Sequence, residues 1–566
     1  MKELKTNSSP FVNFNQKISF LFDGKKIFGF KGDTIASALL RNNINLVGRS
    51  FKYHRPRGIY TCGIEEPNAL VQIISEYSEP NTRATIKKIY EGMEVESQNR
   101  WPSLDNDIGS INSLFSPLFS AGFYYKTFMG PHKSFWKKIY EPIIRRAAGL
   151  GKPPKEFRAL SSHLHHNVDI VIVGAGLNGL LAAKSLINTN HDILLVDFDN
   201  HLGGIINNSA KISSIDNQSP QEWVKSTVEA IEKSKNIKIL KNTLVTTYNY
   251  INHLIAVEDK HVGSRPSENK VNNILHKIRT DHVILCNGHI ERFLSFQNND
   301  LPGIMLASSF EKYICRYGTL PSKEPVIFSN NSNSNSLIYS IINQGYKPKA
   351  YIDSRSGENI EPELFDLIRK HDIPLYTNSQ IKGVSGRKRI EKILIEDSTG
   401  GLSEIHSDFL CVSGGINPDV HLFTQSKGLL DWDEKDLTYK PSKPFQPTIT
   451  LGSASGQFNL EKVSDEINEK LKIFKNKVLD TQIVLNTKES YQIEKLWEIS
   501  PHKSSMWSKS FIDLQNDVTT KDIRQAISEG FDRIEHLKRY TTNSMGTDQG
   551  KISSINALGI VSDLLD

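Results

Sequence analysis

The chain has 566 residues, of which 38% are hydrophobic and 23% charged, with a formal net charge of +6. That length holds about three or four domains, and the composition is that of a globular chain, which excludes a disordered or fibrous one. The charge is small for the length and forms no block of about five or six like charges, so a nucleic-acid partner is not indicated.

Residues 1–10 lack the apolar core of a signal peptide, and no apolar run reaches about 18 residues, so a cytoplasmic chain without membrane contact is expected. Residues 1–100 read as a small β-rich domain. Residues 17–22 alternate like a strand, Asp23-Gly24 is a hairpin turn, and residues 25–30 return. Asp33 is placed to cap a helix through Ala36, Ala38, Leu39 and Leu40. That order is the start of a plant-type ferredoxin (β-grasp) domain, which next supplies Cys-x4-Cys-x2-Cys for an iron–sulfur cluster. Here the loop is His54-Arg-Pro-Arg-Gly58-Ile-Tyr-Thr-Cys62-Gly63. One cysteine cannot hold a cluster that needs four, so the shape is expected without the metal. Cys62, Cys286, Cys315 and Cys411 lie far apart with no CxxC pair. Neither a disulfide framework nor a dithiol centre is expected, and a reducing compartment fits. His54 has no Cys or His neighbour in sequence and is expected to be packed or at the surface. Arg55 and Arg57 suit a phosphate, a neighbouring carboxylate or a plain surface loop. Residues 101–165 form a connector rich in aromatics and prolines, notably at 121–128 and 144–154. So many aromatics are expected to clamp domains together or to face a partner chain.

A dinucleotide-binding unit is predicted over 166–321 and 401–500. Residues 168–183 read Val-Asp-Ile-Val-Ile-Val-Gly-Ala-Gly-Leu-Asn-Gly-Leu-Leu-Ala-Ala. A β-branched run feeds a glycine turn, and the turn feeds an Ala/Leu-rich helix, which is GxGxxG in its working context. Gly174 permits the sharp turn, Gly176 lets backbone approach a pyrophosphate, and Gly179 lets the helix pack close to the strand. The helix start offers N–H groups to the phosphates. A second strand at 191–197 ends in Asp197, an acid about 20 residues past the glycines and so placed for a ribose hydroxyl. A carboxylate there repels a 2′-phosphate, which favours NAD or FAD over NADP. Gly203-Gly204 follows in the loop that wraps the nucleotide. Residues 281–288 form another buried strand ending in a small-residue turn, and with Phe293 and Leu301-Pro-Gly303 they resemble two-dinucleotide flavoproteins.

Residues 322–400 read as an inserted second α/β unit, with strands at 325–329 and 349–353 and a helix at 335–344. Its turn, residues 330–336, carries asparagines and serines where glycines are needed, so this second site is expected to be empty or degraded. Strands at 408–413 and from Thr448 into Gly452-Ser453 are expected to return to the first fold, the latter closing over the nucleotide. Residues 501–566 form a C-terminal interface segment in which Lys538, Arg539 and Lys551 suit a flavin phosphate or a partner's carboxylate. The predicted class is α/β: a two-dinucleotide-binding, flavoprotein-reductase-like Rossmann fold behind an N-terminal ferredoxin-like β-grasp domain.

Together these stretches resemble the α subunits of heterotetrameric sarcosine oxidase. The resemblance is carried by the loop at 54–58 with Glu65-Glu-Pro-Asn68, by 122–129, 147–151, Ser413-Gly-Gly, 417–422 and 513–522, and by Lys538-Arg-Tyr-Thr-Thr through Asp548-Gln-Gly-Lys551. It implies an NAD-carrying subunit, with FAD the second choice for this chain, working with β, γ and δ subunits. It implies that a β subunit oxidises sarcosine to glycine on FAD, and that an FMN shared at the α/β boundary passes electrons to O2 to make peroxide. It implies no catalytic residue in this chain. By position it puts NAD contacts on Ala175, Asp197, Phe198, Asp199, Ile205 and Val245, with Ser453, Phe458 and Leu460 closing the site. The family has Glu and Arg where Phe198 and Asp199 stand, and Thr where Ile205 stands. Its α subunits run on into a folate-binding domain resembling aminomethyltransferases, whereas this sequence ends at Asp566. The chain is then a fragment, or the folate domain is separate or missing; without that domain the methyl carbon leaves as formaldehyde. Two alternatives are an α-like subunit of an opine, proline or glycine dehydrogenase complex, and a non-catalytic nucleotide-binding scaffold. A stand-alone disulfide reductase is disfavoured by the missing CxxC.

Overall fold

The computed structural model describes residues 9–74, 78–126, 130, 132–143, 151, 160–475, 478–486 and 491–565. Most of the connector stretch at 144–154 lies outside these residues, as do 127–129.

The N-terminal unit is a five-stranded sheet in the order Lys25–Lys31, Asn13–Phe22, Met93–Ser97, Leu70–Ile74, Glu79–Arg83. Its hairpin turns at Asp23 and Gly24, both with positive φ (49° and 76°), the geometry whose twist matches the strands. The helix Ile35–Arg41 packs on this sheet. Its N-cap is Thr34, in a reciprocal capping box with Ser37, and not Asp33 as expected. Asp33 is diverted because Arg41, fully buried, needs a carboxylate, and Asp33 also accepts the Ser37 hydroxyl at 2.7 Å.

The first nucleotide-type unit is built on a seven-stranded sheet whose path runs Ile237–Leu240, Ile193–Val196, Leu160–Val173, Val271–Leu285, His253–Asp259, Thr243–Asn249, with Thr448–Thr450 added beside Val271–Leu285. The parallel strands are buried on both faces, which is why they read as unbroken apolar runs. The second unit is an all-parallel sheet in the order Ile304–Leu306, Leu410–Ser413, Val326–Ser329, Ala350–Asp353, Leu375–Tyr376. Two boundaries therefore differ from expectation. Leu410–Ser413 joins the second sheet, not the first, and the second unit already begins with Ile304–Leu306, before residue 322. An apolar strand pairs equally well in either parallel sheet, so its sequence cannot say which one takes it. The C-terminal helices Thr520–Ser528, Ile534–Thr541 and Ser554–Leu565 share a small core with Trp497 and Ile512.

Helix Ala307–Tyr317 of the second unit packs into the core of the N-terminal unit through Phe310, Tyr313 and Ile314. The His54–Gly58 loop locks a second contact. Arg55 reaches Asp300 at 2.6 and 2.7 Å, and Arg57 bonds both Asp300 and Asp517. Asp300 and Asp517 are fully buried, and both guanidinium groups lie over the Phe511 ring. Burial alone would raise Asp300, but the two arginines hold it below the usual carboxylate range. The arginine loop thus meets carboxylates of its own chain. His54 is buried, with Nδ1 2.8 Å from Asp107. Among the described residues no helix is long and apolar enough to cross a membrane.

Candidate dinucleotide crevice

The strand Leu160–Val173 ends in four buried residues, Ile170–Val173, flanked in parallel by Ile193–Val196 and by the end of Val271–Leu285. Gly174 then turns the chain at φ +95°, and a Cβ there would lie 2.5 Å from the Cys286 carbonyl oxygen. Gly176 is the N-cap of helix Leu177–Ser185. Gly179 sits so close to the turn that a Cβ would fall 1.8 Å from the Gly174 carbonyl oxygen. These two glycines are demanded by the fold. Gly176 is different: a Cβ there meets only the Gly204 Cα, at 3.7 Å. Room has been kept beside a helix N-terminus where the protein itself does not need it, as a pyrophosphate cradle requires. Gly203 donates its N–H to the Ala175 carbonyl at 2.8 Å, and Gly204 (φ +57°) brings bare backbone against Gly176.

Asp197 closes the second strand. Its Oδ2 accepts the Ala175 N–H at 2.6 Å and its Oδ1 accepts the Asp199 N–H at 2.8 Å. Each oxygen keeps a lone pair for a further donor. Burial pushes its pKa up to about 6, against the pull of these N–H groups. Asp199 is turned to protein: one oxygen accepts the His201 N–H at 3.1 Å, and the other pairs with Arg316 at 2.5 Å. Phe198 between them is 44% exposed.

Thr448–Thr450 delivers the closing turn. Gly452 (φ +64°) donates its N–H to Glu466 at 2.7 Å and abuts the amide of Asn178, the second residue of the helix. The Asn178 Oδ1 is buried with no hydrogen-bond partner, and so is the Asn287 Oδ1 beyond the end of Val271–Leu285. Each is an acceptor suited to a sugar hydroxyl or carboxamide donor. The residues present therefore fit a dinucleotide.

The structure brings Gly174, Ala175, Gly176, Gly179, Asp197 and Gly452 together, with half-buried Ser453 next to Gly452. Ile205 begins the short helix Ile205–Asn208 and, like Leu460, packs in the core on the helix side of the sheet. Val245 packs with Val171, Val173 and Val196 in a separate core cluster. Phe458 packs on Tyr491, ring centroids 5.0 Å apart. Asn178, Asn287 and Arg316 were not singled out from sequence. Asn178 lies inside the glycine motif, at a position the motif leaves open, whereas Arg316 carries no local signal.

The second crevice is filled by the chain itself. Ser332 and Gln492 exchange bonds at 3.0 Å, Asn330 and Glu494 do so at 2.8 and 2.9 Å, and Asn331 is tied to Ser413. Asp353, the counterpart of Asp197, is fully buried against its own Arg355 at 2.8 and 3.0 Å. At the far end of the first crevice Lys551 lies 3.7 Å from Asp419, whose N–H bonds the Gly288 carbonyl. Its carboxylate is thus one of this chain.

Family models match in three places: a 2Fe-2S iron-sulfur cluster binding domain over residues 15–100, an NAD(P)-binding Rossmann-like domain over 172–226, and a sarcosine oxidase A3 domain over 507–566. The first match concerns shape, since Cys62 is the only cysteine in that stretch and cannot hold the cluster. The chain is 36% identical to sarcosine oxidase subunit alpha of Rhizobium meliloti (strain 1021) over 97% of its own length and 55% of the relative's. It is 25% identical to the subunit of that name from Corynebacterium sp. (strain P-1), over 98% of this chain and 54% of that one. The crystal structure of L-proline dehydrogenase from P. horikoshii has the same fold, with TM-score 0.64 and 19% identity, covering 98% of this chain and 94% of that one. The chain spans about half the length of the sarcosine oxidase subunits it matches. Nearly all of this chain is thus similar to sarcosine oxidase subunit alpha, arranged as a ferredoxin-like domain followed by a two-dinucleotide-type α/β fold.

Proposed function

We propose that this chain is the NAD-carrying, α-type subunit of a sarcosine oxidase-like complex. The observation that carries the reading is the open face at Gly176, set beside the Asp197 carboxylate in a chain similar along its whole length to sarcosine oxidase subunit alpha. The Leu177–Ser185 N-terminus and Gly176 hold the pyrophosphate, Asp197 takes a ribose hydroxyl, and the Gly452 turn covers the far half. When bound, the dinucleotide supplies a site for two-electron exchange. This chain's residues bind and orient it, and companion β, γ and δ subunits carry out amine oxidation, with FMN at the shared boundary. The connector offers a surface for them: Ile108, Ile111 and Leu114 stand in line on one face of the three-residue-per-turn helix Ile108–Phe119, 56, 51 and 76% exposed.

The test is direct. Acid-release the nucleotide from the pure chain and identify it by mass and absorbance, then assay sarcosine-dependent peroxide with and without the companion subunits. NAD in the chain, and activity only in the complex, is the expected outcome. A purified chain as active as the complex refutes the division of labour, and a complex preferring proline or an opine moves the reading to the dehydrogenase alternative.

A further inference from the structure

The adenosine end of the crevice is assembled by all three major units. Asp199 and His201 come from the first nucleotide-type unit, Arg316 from the last turn of helix Ala307–Tyr317 in the second, and Phe11 and Lys88 from the N-terminal unit. Arg316 is 4% exposed, pairs with Asp199 at 2.5 Å and lies over the Phe11 ring at 5.2 Å, and Phe11 packs edge-on against His201 at 4.8 Å. Arg316 is therefore held in place. Asp199 is tied to the ribose acid through its own N–H, which donates to Asp197 at 2.8 Å.

We propose that the Asp199–Arg316 ion pair is the second determinant of cofactor choice, admitting a 2′-hydroxyl and refusing a 2′-phosphate by cancelling the charge of the Arg316 guanidinium. The inference rests on the reading of this crevice as a dinucleotide site. In such folds an acid after the second strand selects NAD, and an arginine nearby accommodates the 2′-phosphate of NADP. Here both are present. Arg316 is near enough to pull the Asp197 carboxyl down electrostatically, yet its charge is already consumed by Asp199, which it holds below the usual carboxylate range despite burial. His201 adds no charge at neutral pH, because burial, Lys88 and Arg316 push it down to about 4. Two carboxylates, one guanidinium and the Lys88 ammonium balance to zero, and Lys241, which also acts on His201, is paired with Glu232 at 2.9 Å, leaving no net attraction for a dianion.

The charge arithmetic gives opposite signs for two substitutions. Asp199→Asn keeps the backbone N–H on Asp197 but frees Arg316, leaving the site net positive. Arg316→Gln leaves it net negative. NAD and NADP are titrated separately into nucleotide-stripped wild type and both variants, with thermal unfolding as a check on folding. The wild type is expected to prefer NAD. Asp199→Asn is expected to cut that preference by about tenfold or more, and Arg316→Gln to leave it equal or greater. In Asp199→Asn with Arg316→Met, the gain for NADP is expected to vanish, which assigns it to the guanidinium. A folded Asp199→Asn with wild-type preference overturns the proposal, and so does an Arg316→Gln variant that gains NADP. A wild type binding neither nucleotide overturns the dinucleotide reading along with it, and is told apart by that result.

Discussion

Alanine at Gly176 and alanine at Gly179 separate what the nucleotide needs from what the fold needs. At Gly179 the new methyl falls 1.8 Å from the Gly174 carbonyl oxygen and 2.9 Å from its carbon, so the helix must move by more than an ångström. Overpacking of this kind costs about 1–3 kcal/mol, offset by about 1 kcal/mol from alanine's better helix propensity. At Gly176 the backbone has φ −72° and ψ −169°, which alanine adopts freely, and the nearest atom is 3.7 Å away. Loss of the glycine N-cap and the reduced entropy of the unfolded chain act in opposite directions, each by about 1 kcal/mol or less. Nucleotide-stripped Gly176→Ala should therefore unfold within a degree or two of wild type, whereas stripped Gly179→Ala should unfold several degrees lower, at about 2–4 °C per kcal/mol. Loaded with NAD, wild type should gain stability and Gly176→Ala should not, because its methyl occupies the surface the pyrophosphate must touch. Differential scanning fluorimetry with and without NAD, plus acid release of bound nucleotide, reads both effects. The reasoning fails if Gly176→Ala keeps wild-type nucleotide content, or if stripped Gly176→Ala is as unstable as Gly179→Ala.

Asp300→Ala removes the carboxylate that Arg55 and Arg57 share, leaving Arg57 only Asp517, and should cost about 3–5 kcal/mol, seen in thermal unfolding and in proteolytic cleavage near residues 52–58; a near-neutral effect would refute the clamp. Asp197 titrates at about 6 in the folded chain against 3.8 ordinarily, so the native state holds a proton the unfolded chain has released. Its contribution to stability therefore falls as pH rises between those values and is flat above; Asp197→Asn should remove that slope from the unfolding temperature of the stripped protein. Nucleotide stoichiometry should be one dinucleotide per chain, since residues 492–494 close the second crevice; two per chain would contradict that. Leu114→Asp, at a side chain 76% exposed, should leave unfolding unchanged within about 0.5 kcal/mol yet weaken co-purification of companion subunits.

Local chemistry was legible in the order of residues. The strand, glycine turn, helix and Asp197 are written within some thirty consecutive positions, because Gly174 and Gly179 answer demands made by backbone close by in the fold and Gly176 keeps its place in the same short turn. The Asp23-Gly24 hairpin, the single cysteine where a cluster needs four, and the asparagine-rich turn of the second unit were readable for the same reason. Tertiary structure alone decided which sheet takes Leu410–Ser413, since an apolar strand pairs with any parallel edge. It alone decided that Arg55 and Arg57 meet Asp300 and Asp517 rather than a phosphate, and that Arg316 reaches Asp199. A charge declares its sign in the sequence, but its partner is set by packing between units far apart along the chain, and that distance in space leaves no periodicity to read.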